Sequence, residues 1–280
     1  MKKFPLVSII VPAYNEEKVI EKILISIKKQ SYKKIEVLVL DDASEDNTYN
    51  IAKKYTKKVF RKLHSERSAT RNYGAKLSKG KYLMFLDADM RLTRNVVKKC
   101  VESIEKYSSM AGIIIPEKSI AKTFWEKIRA FERSFYNFEG DEVTDAARFF
   151  KREVFEKFGG YDETITGPED WDLPEMMKEN GYSFGRINSF IFHYERVPNP
   201  FYQAKKKFNY ALKSHRYLSK HKISPISSKT IYFLRPVFYE KGNWKRLLLN
   251  PRLSLGMFVM FTLETIAGGF GYLLGRILRA

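Results

Sequence analysis

The first 200 residues alternate short apolar runs with longer amphipathic stretches. The runs have four to six residues and are rich in Val, Ile and Leu, which is typical of strands buried in a parallel sheet. Between them, apolar residues recur at helical spacing and predict helices that cover the sheet. This pattern predicts an α/β fold with an open, mostly parallel sheet. The predicted strands are 6–11, 35–40, 82–86 and 112–115, and the predicted helices are 44–55, 68–77, 93–107 and one beginning near residue 15.

The first strand and helix have clear boundary signals. Pro12 follows the first apolar run and is expected to end that strand. Asn15 is a favourable N-cap residue, which predicts that the first helix begins there. One apolar face of this helix is formed by Ile20, Ile23, Leu24 and Ile27.

The C-terminal region has a different pattern, because residues 253–275 are mostly apolar and contain Glu264 as their only charged residue. As a helix, this segment would reach about 34 Å, close to the thickness of a bilayer core. A charged residue in mid-segment is costly in lipid, however, and the glycines at 256, 268, 269 and 271 would let the helix bend. Three interpretations stay open: a shallow, bent or interfacial helix pair at the membrane, a membrane span, and a buried helix.

Charge is concentrated just before that segment. The whole chain carries a formal charge of +19, and residues 201–252 contain thirteen basic residues against one acidic residue. Ten aromatic residues lie in the same stretch. Basic segments with Tyr and Trp are typical of contact with an anionic membrane surface. We therefore predict two domains, 1–200 and a basic, aromatic helical extension at 201–280, with 253–275 as its membrane-associating part.

Composition excludes two further classes of protein. A hydrophobic content of 44% is enough for a sizeable core, which excludes global disorder. Cys100 is the single cysteine, so an internal disulfide scaffold is excluded. Its position on the apolar side of the fourth predicted helix predicts a core residue.

Polar clusters follow three of the predicted strands. They are Tyr14-Asn15-Glu16, Asp41-Asp42-Ala43-Ser44 and Asp87-Ala88-Asp89. Ligands of open α/β sheets bind at the carboxyl ends of the strands, so we expect these clusters to form one site. Neither a dinucleotide-binding glycine motif nor a P-loop is present, which leaves such sites without support.

Asp87 and Asp89 are the most informative pair in these clusters. Two carboxylates this close at the end of a buried strand are costly unless a cation neutralises them. A divalent ion shared with a diphosphate would do so. The alternative is a structural turn in which Asp87 caps the next helix.

Taken in order, the motifs resemble those of family 2 glycosyltransferases with the GT-A fold. The resemblance covers about residues 7–193 and implies a nucleotide-diphosphate sugar donor and Mg²⁺ or Mn²⁺ as cofactor. The motifs that carry it are Pro12-Ala13-Tyr14-Asn15-Glu16, Asp41-Asp42-Ala43-Ser44-Glu45-Asp46-Asn47-Thr48, Ala69-Thr70-Arg71-Asn72-Tyr73-Gly74, Phe85-Leu86-Asp87-Ala88-Asp89, Gly159-Gly160-Tyr161-Asp162-Glu163 and Glu169-Asp170-Trp171-Asp172-Leu173.

The resemblance implies roles for residues of the donor site. Arg71 corresponds to an arginine near the base and phosphates, and Asp41 is less expected to touch ligand than Asp42. Asp87 is assigned to the ribose or the ion and Asp89 to the ion. The residues implied in binding the nucleoside are Pro12, Tyr14, Glu16 and Asp42.

The resemblance also implies the catalytic residues. Asp170 corresponds to the general base that takes a proton from the acceptor hydroxyl, with Glu169 as a positioning residue. His193 is implied as a further metal ligand, since a neutral imidazole can bind a metal ion. His64, by contrast, has no such context and is expected on the surface, as are the other two histidines.

These observations predict an inverting, metal-dependent glycosyltransferase that acts at the cytoplasmic face of the cell membrane. The Gln-x-x-Arg-Trp motif of processive synthases is absent, which favours transfer of a single sugar. The expected acceptor is a hydroxyl of a lipid-linked glycan or glycolipid. The alternatives are a polyprenyl-phosphate sugar synthase of the same fold and a non-catalytic basic membrane- or nucleic-acid-binding protein. No nucleic-acid partner is expected.

Overall fold

A computed structural model describes residues 4–141 and 145–278. The chain divides into two compact units. The first contains residues 1–117, 146–163 and 169–193, and the second contains residues 118–145, 164–168 and 194–280. The predicted domain boundary at residue 200 stays a prediction.

The first unit is built on a seven-stranded sheet flanked by helices, and the strand order is β3-β2-β1-β4-β8-β6-β9. The strands of this sheet are β1 (Val7–Ala13), β2 (Ile35–Asp41), β3 (Val59–Arg61), β4 (Tyr82–Phe85), β6 (Met110–Ile114), β8 (Ala147–Lys151) and β9 (Ser183–Arg186). Three further strands lie outside it, β5 (Met90–Leu92), β7 (Glu117–Ile120) and β10 (Ile191–Tyr194). The helices of this unit are α1 (Ile20–Lys28), α2 (Thr48–Lys53), α3 (Arg67–Leu77), α4 (Val96–Ile104), α6 (Arg152–Lys157) and α7 (Glu169–Glu179).

The first four strands of the sheet are parallel, as their apolar composition predicts. β1 lies between β2 and β4 and is parallel to both. β8 is antiparallel to its neighbours β4 and β6. Helices pack on both faces of the sheet, and Cys100 is buried in one of the two cores, which confirms its predicted structural place. The mixed but mostly parallel α/β sheet confirms the predicted fold class.

Two predicted boundaries are wrong. β1 continues through Pro12 to Ala13, where it pairs only with β2 because its pairing with β4 ends at Ile10. A proline is tolerated there because one side of the strand needs no ladder hydrogen bond. Helix α1 begins at Ile20 rather than near Asn15. Asn15 has a positive φ of 53° and lies in a loop, where Asn is more readily accommodated than most residues.

The second unit is helical. Its helices are α5 (Phe124–Arg133), α8 (Pro200–Lys220), α9 (Asn243–Leu249) and α10 (Pro251–Leu278), with 3-10 turns at Tyr232–Leu234, Pro236–Phe238 and Glu240–Gly242. An aromatic and aliphatic core lies between α5, α10 and the 3-10 turns. Among the described residues, α10 alone is long and apolar enough to cross a membrane, by length and composition. The same properties suit the core helix of a soluble protein.

Candidate active site

The ends of β1 and β2 bring together three side chains at one edge of the first unit. Asp42 Oδ2 lies 2.7 Å from His64 Nδ1, and the His64 ring lies 4.8 Å from the ring of Tyr14. The Ser65 amide donates a hydrogen bond to Asp42 Oδ1 at 3.1 Å. His64 is exposed as expected, but the sequence did not indicate that it belongs to this cluster.

Hydrogen bonds from backbone amides to side-chain oxygens hold the two polar loops against each other. The Asn15 amide donates to Ser44 Oγ at 3.0 Å, and Asn15 Oδ1 accepts from the Glu45 amide at 2.9 Å. The Glu16 amide donates to Thr48 Oγ1 at 2.7 Å. Because these bonds use side chains of one loop and amides of the other, the edge near Tyr14 and Asp42 has a fixed shape.

Asp41 is buried and has a structural ion-pair partner. Its Oδ2 accepts from Arg61 Nε at 2.7 Å, and its side chain is buried. Pro12, paired with Leu40 in the sheet, is half-buried beneath the polar loops.

Arg71 lies at the centre of the second half of the site. Its side chain, on α3, is fully buried, with Nη2 2.9 Å from Asp87 Oδ1 and Nη1 2.5 Å from Asp170 Oδ1. Nη1 also lies 3.7 Å from Glu169 Oε1, and the guanidinium lies over the Tyr161 ring at 5.4 Å. One guanidinium thus connects the acidic turn after β4 with the start of α7.

The pKa values of Asp87 and Glu169 shift in opposite directions because their neighbouring charges differ. Burial alone would raise the pKa of Asp87, but Arg71 and Arg148 outweigh it and hold that pKa well below its usual value. Burial raises the pKa of Glu169, and the neighbouring charge of Asp170 raises it further. At neutral pH Asp87 is therefore an anion, and Glu169 holds a proton more readily than an ordinary glutamate does.

Arg148 is a site residue that the sequence reasoning missed. It lies on β8, nearly buried, with Nε 2.5 Å from Glu117 Oε1 and Nη1 3.5 Å from Asp87 Oδ2. The available signal was an arginine in an otherwise apolar strand, Ala147–Lys151, and a buried arginine needs an anion beside it.

Asp89 and His193 come together through strand pairing. β10 is antiparallel to β5, and His193 lies opposite Met90, the residue after Asp89. His193 Nε2 is consequently 3.5 Å from Asp89 Oδ1, while His193 Nδ1 is 3.0 Å from Glu117 Oε2. A carboxylate beside one ring nitrogen is the arrangement that orients metal-binding histidines.

The donor set here fits a divalent ion only in part. Within residues 4–141 and 145–278, no group of three His, Cys, Asp or Glu side chains is arranged to hold a metal ion by itself. Asp89 and His193 can offer an oxygen and a nitrogen, whereas both Asp87 oxygens face guanidinium groups. Mg²⁺ and Mn²⁺ commonly bind one or two protein side chains and complete their shell with phosphate oxygens and water. The residues therefore fit an ion that a diphosphate helps to hold.

The predicted site residues thus form two clusters in the first unit. Tyr14 and Asp42 lie with His64 in one, and the loop of Glu16 is bonded beside them. The other cluster joins the residues predicted to bind phosphate, to bind the metal ion and to transfer the proton. Its carboxylates, guanidinium groups and imidazole contact one another. Its members are Arg71, Asp87, Asp89, Glu169, Asp170 and His193, with Glu117 and Arg148 added by the structure.

Residues 8–159, more than half of the chain, match the family described as glycosyl transferase family 2. The chain belongs to this family. An uncharacterized glycosyltransferase of Methanocaldococcus jannaschii is 28% identical over 91% of this chain and 93% of its own length. Another, from Rickettsia typhi, is 26% identical over 95% of this chain and 87% of its own length.

Solved structures show the same fold. A mannosyltransferase from Pyrobaculum calidifontis, in complex with GDP-Man and Mn²⁺, has a TM-score of 0.63 and 21% identity, over 97% of this chain and 88% of that one. Residues 1–349 of TarS from S. aureus, in complex with UDP-GlcNAc, have a TM-score of 0.55 and 16% identity, over 95% of this chain and 89% of that one.

The family and the fold together confirm two expectations from the motifs. The protein is a family 2 glycosyltransferase, and its first unit has the GT-A fold. The alternative of a non-catalytic binding protein is therefore wrong.

Proposed function

We propose that this glycosyltransferase moves a single sugar, with inversion, from a nucleotide-diphosphate sugar to a hydroxyl of a lipid-linked glycan or glycolipid. The ion pairs of Arg71 carry this proposal. The same buried guanidinium contacts Asp87, implied in donor binding, and Asp170, implied as the base. The ion pairs would thereby hold the donor-binding carboxylate and the proposed general base at a fixed separation.

The donor would lie across both clusters. Tyr14 would contact the nucleobase and Asp42 the nucleoside. Pro12 and Glu16 would shape the nucleoside end of the donor site. Arg71 and Arg148 would face the diphosphate, since guanidinium groups bind phosphate oxygens with paired hydrogen bonds. Within the described parts of the chain, Arg71 Nε is buried and has no hydrogen-bond partner, which leaves one buried donor for an anionic ligand.

Proton transfer would fall to Asp170. The acceptor hydroxyl gives its proton to this carboxylate while its oxygen attacks the anomeric carbon. The bond from that carbon to the diphosphate oxygen breaks, and the electron pair leaves with the nucleotide. Arg71, 2.5 Å from Asp170 Oδ1, would keep this carboxylate oriented until the acceptor arrives. Attack from the face opposite the leaving group inverts the configuration.

Asp89 and His193 would hold Mg²⁺ or Mn²⁺ with the donor diphosphate, and Asp87 would bind the ribose or the same ion. The ion would neutralise the charge that develops on the leaving diphosphate. The Mn²⁺ and GDP-Man in the Pyrobaculum structure support a divalent ion and a nucleotide-sugar donor here.

Two features support the proposed acceptor: the basic residues of 201–252 and the general base, Asp170. Residues 201–252, with thirteen basic residues and one acidic residue, favour work at an anionic, cytoplasmic membrane face. A polyprenyl-phosphate acceptor, the rival, has an oxygen that is already ionised and needs no base. The carboxylate of Asp170 therefore favours a hydroxyl acceptor.

Replacing the base tests this proposal directly. We expect Asp170→Asn to lower kcat for a hydroxyl acceptor by about 10²- to 10⁴-fold. Glu179→Gln, exposed at the far end of the same helix, is the matched control and should keep full activity. Full activity of Asp170→Asn on a hydroxyl acceptor would refute the base assignment, and undiminished transfer to polyprenyl phosphate would favour the rival.

A further inference from the structure

The two sides of helix α10 have different environments. One side is buried and includes Gly256, Met260, Phe261 and Glu264. It packs on α5 and α8, both in the second unit. Glycines allow this close packing, because a Cβ atom at Gly271 would lie 2.4 Å from the Phe208 carbonyl oxygen.

Glu264, the acidic residue that made a simple membrane span costly, belongs to the packed side. Its side chain is 4% exposed and forms an ion pair with Arg129 of α5. Arg129 Nη1 is also 2.8 Å from Glu132 Oε2. Removing α10 from this unit would separate Glu264 from Arg129 and leave the buried guanidinium with Glu132 alone, which is unfavourable. α10 is thus held along its length by protein, not surrounded by lipid.

The opposite side of α10 is an exposed apolar stripe. Side chains recur on it at intervals of three and four residues, and Phe270 is 66% and Ile277 77% exposed. Thr262, on the same side, donates its hydroxyl to the Phe258 carbonyl oxygen and so offers no unsatisfied donor. The stripe consists of Leu255, Phe258, Val259, Ile266, Phe270, Leu273, Leu274 and Ile277.

We infer that this stripe is the membrane-contact surface and that α10 lies in the plane of an anionic bilayer surface without crossing it. From Leu255 to Ile277 the stripe is about 33 Å long. Soluble monomers rarely expose an apolar strip of this extent. This inference goes beyond the proposed reaction and depends only on the second unit.

Charge around the stripe favours lipid over a protein partner. Arg252 and Arg276 flank it, and α9, just before α10, has Lys245 and Arg246 next to the exposed Trp244. Basic residues beside Trp and an apolar face are typical of interfacial helices. Typical protein interfaces also carry direct hydrogen bonds, and the apolar side chains of the stripe offer no group for them.

Depth measurements along the stripe test the orientation. Cys100 is buried, so a fluorophore can be attached selectively to Leu255→Cys, Ile266→Cys or Ile277→Cys in the full chain. In vesicles of phosphatidylcholine and phosphatidylglycerol, we expect all three labels to shift to the blue and to be quenched equally by a shallow lipid quencher. A label on Ile226→Cys, exposed on a loop of the same unit, should not respond. Graded quenching along the helix would mean a span and overturn the inference.

A binding experiment separates lipid from protein partners. Phe258→Gln, Phe270→Gln and Ile277→Gln together should lower the vesicle-bound fraction at least about tenfold, because each removes apolar area that lipid would cover. Ile226→Gln is the matched control. Unchanged binding of the triple variant, or a stripe-dependent dimer in light scattering that shows no lipid binding, would overturn the inference. Circular dichroism and the melting temperature check that the variants fold. A protein that binds vesicles but transfers no sugar would refute only the proposed function.

Discussion

At the scale of single residues, Arg71 shows how a buried charge can serve a site. A guanidinium with no exposure is tolerated because Asp87 and Asp170 lie 2.9 and 2.5 Å from its nitrogens. Its planar shape lets one cation contact both carboxylates at once, which the single ammonium of a lysine does less well. The same contacts that stabilise α3 in the fold also fix the spacing of two carboxylates proposed to act in the reaction.

This arrangement predicts that Arg71→Lys is not conservative. We expect kcat to fall by at least about 10²-fold, because the paired contacts are lost, while KM for the donor rises less. Arg71→Met should also lower stability by about 1–3 kcal/mol, since the partly exposed carboxylates of Asp87 and Asp170 lose their arginine partner. Steady-state kinetics and thermal melts measure both effects. Arg94→Lys, exposed and outside the site, is the control, and equal activity of Arg71→Lys and Arg94→Lys would contradict the prediction.

Removal of the divalent ion gives a second prediction at this scale. We expect a chelator to abolish sugar transfer and Mn²⁺ or Mg²⁺ to restore it. His193→Ala should raise the Mn²⁺ concentration for half-maximal activity by about 10- to 100-fold, as loss of a ligand or its orienting partner does elsewhere. His215→Ala, on α8 in the second unit, should leave this concentration unchanged. Full activity in chelator would show that the reaction needs no metal.

At the scale of elements, α10 depends on glycines that differ in their surroundings. A Cβ atom at Gly275 would lie 1.9 Å from the Leu212 carbonyl oxygen, and one at Gly271 would lie 2.4 Å from that of Phe208. Gly269, in the same helix, has no atom within 4 Å of such a Cβ. The glycines therefore divide into those that allow α8 to approach and one that faces open space.

Alanine substitutions should separate these two kinds of glycine. Gly271→Ala is expected to lower the free energy of unfolding by about 1–3 kcal/mol, because the backbone of α8 must move. Gly269→Ala should raise it by about 0.5–1 kcal/mol, because alanine is the better helix former. Denaturant unfolding measures both changes. If both variants were stabilised, the close contact between α8 and α10 would be refuted.

At the scale of the whole molecule, buried ion pairs make stability depend on pH. Burial alone would raise the pKa of Glu132, but Arg129 and the Tyr136 hydroxyl hold it below its usual value. A carboxylate with a lowered pKa in the folded state stabilises the protein above its unfolded pKa of about 4.3. That contribution is lost as pH falls through the lower, folded-state pKa.

Glu132→Gln should therefore be less stable than the parent at pH 7, by about 1–3 kcal/mol. The difference should narrow as pH falls from about 5 towards 3, because the parent loses the contribution that the variant already lacks. Melting temperatures across this range measure the effect. A difference that stays constant with pH would show that Glu132 is not held as an anion. Glu153→Gln, an exposed change on α6, is the control.

The sequence by itself determined the class of fold, the family and most of the site. Apolar runs fix which segments become buried strands, and the carboxyl ends of parallel strands meet at one edge, so the clusters that contain Asp42, Asp87 and Asp89 could be predicted from local pattern. The roles proposed for these residues came from the family resemblance. Tertiary structure decided what touches them. His64, Glu117 and Arg148 come from other loops and strands, and nothing local to them indicates which strand will lie beside them.

The same division holds for the C-terminal segment. Composition determined that α10 is long and apolar, and three interpretations of it stayed open. Only tertiary packing placed Glu264 against Arg129 and left Phe270 and Ile277 exposed. The physical reason is that hydrophobicity is a property of each residue, whereas the face of a helix that is covered depends on residues distant in sequence.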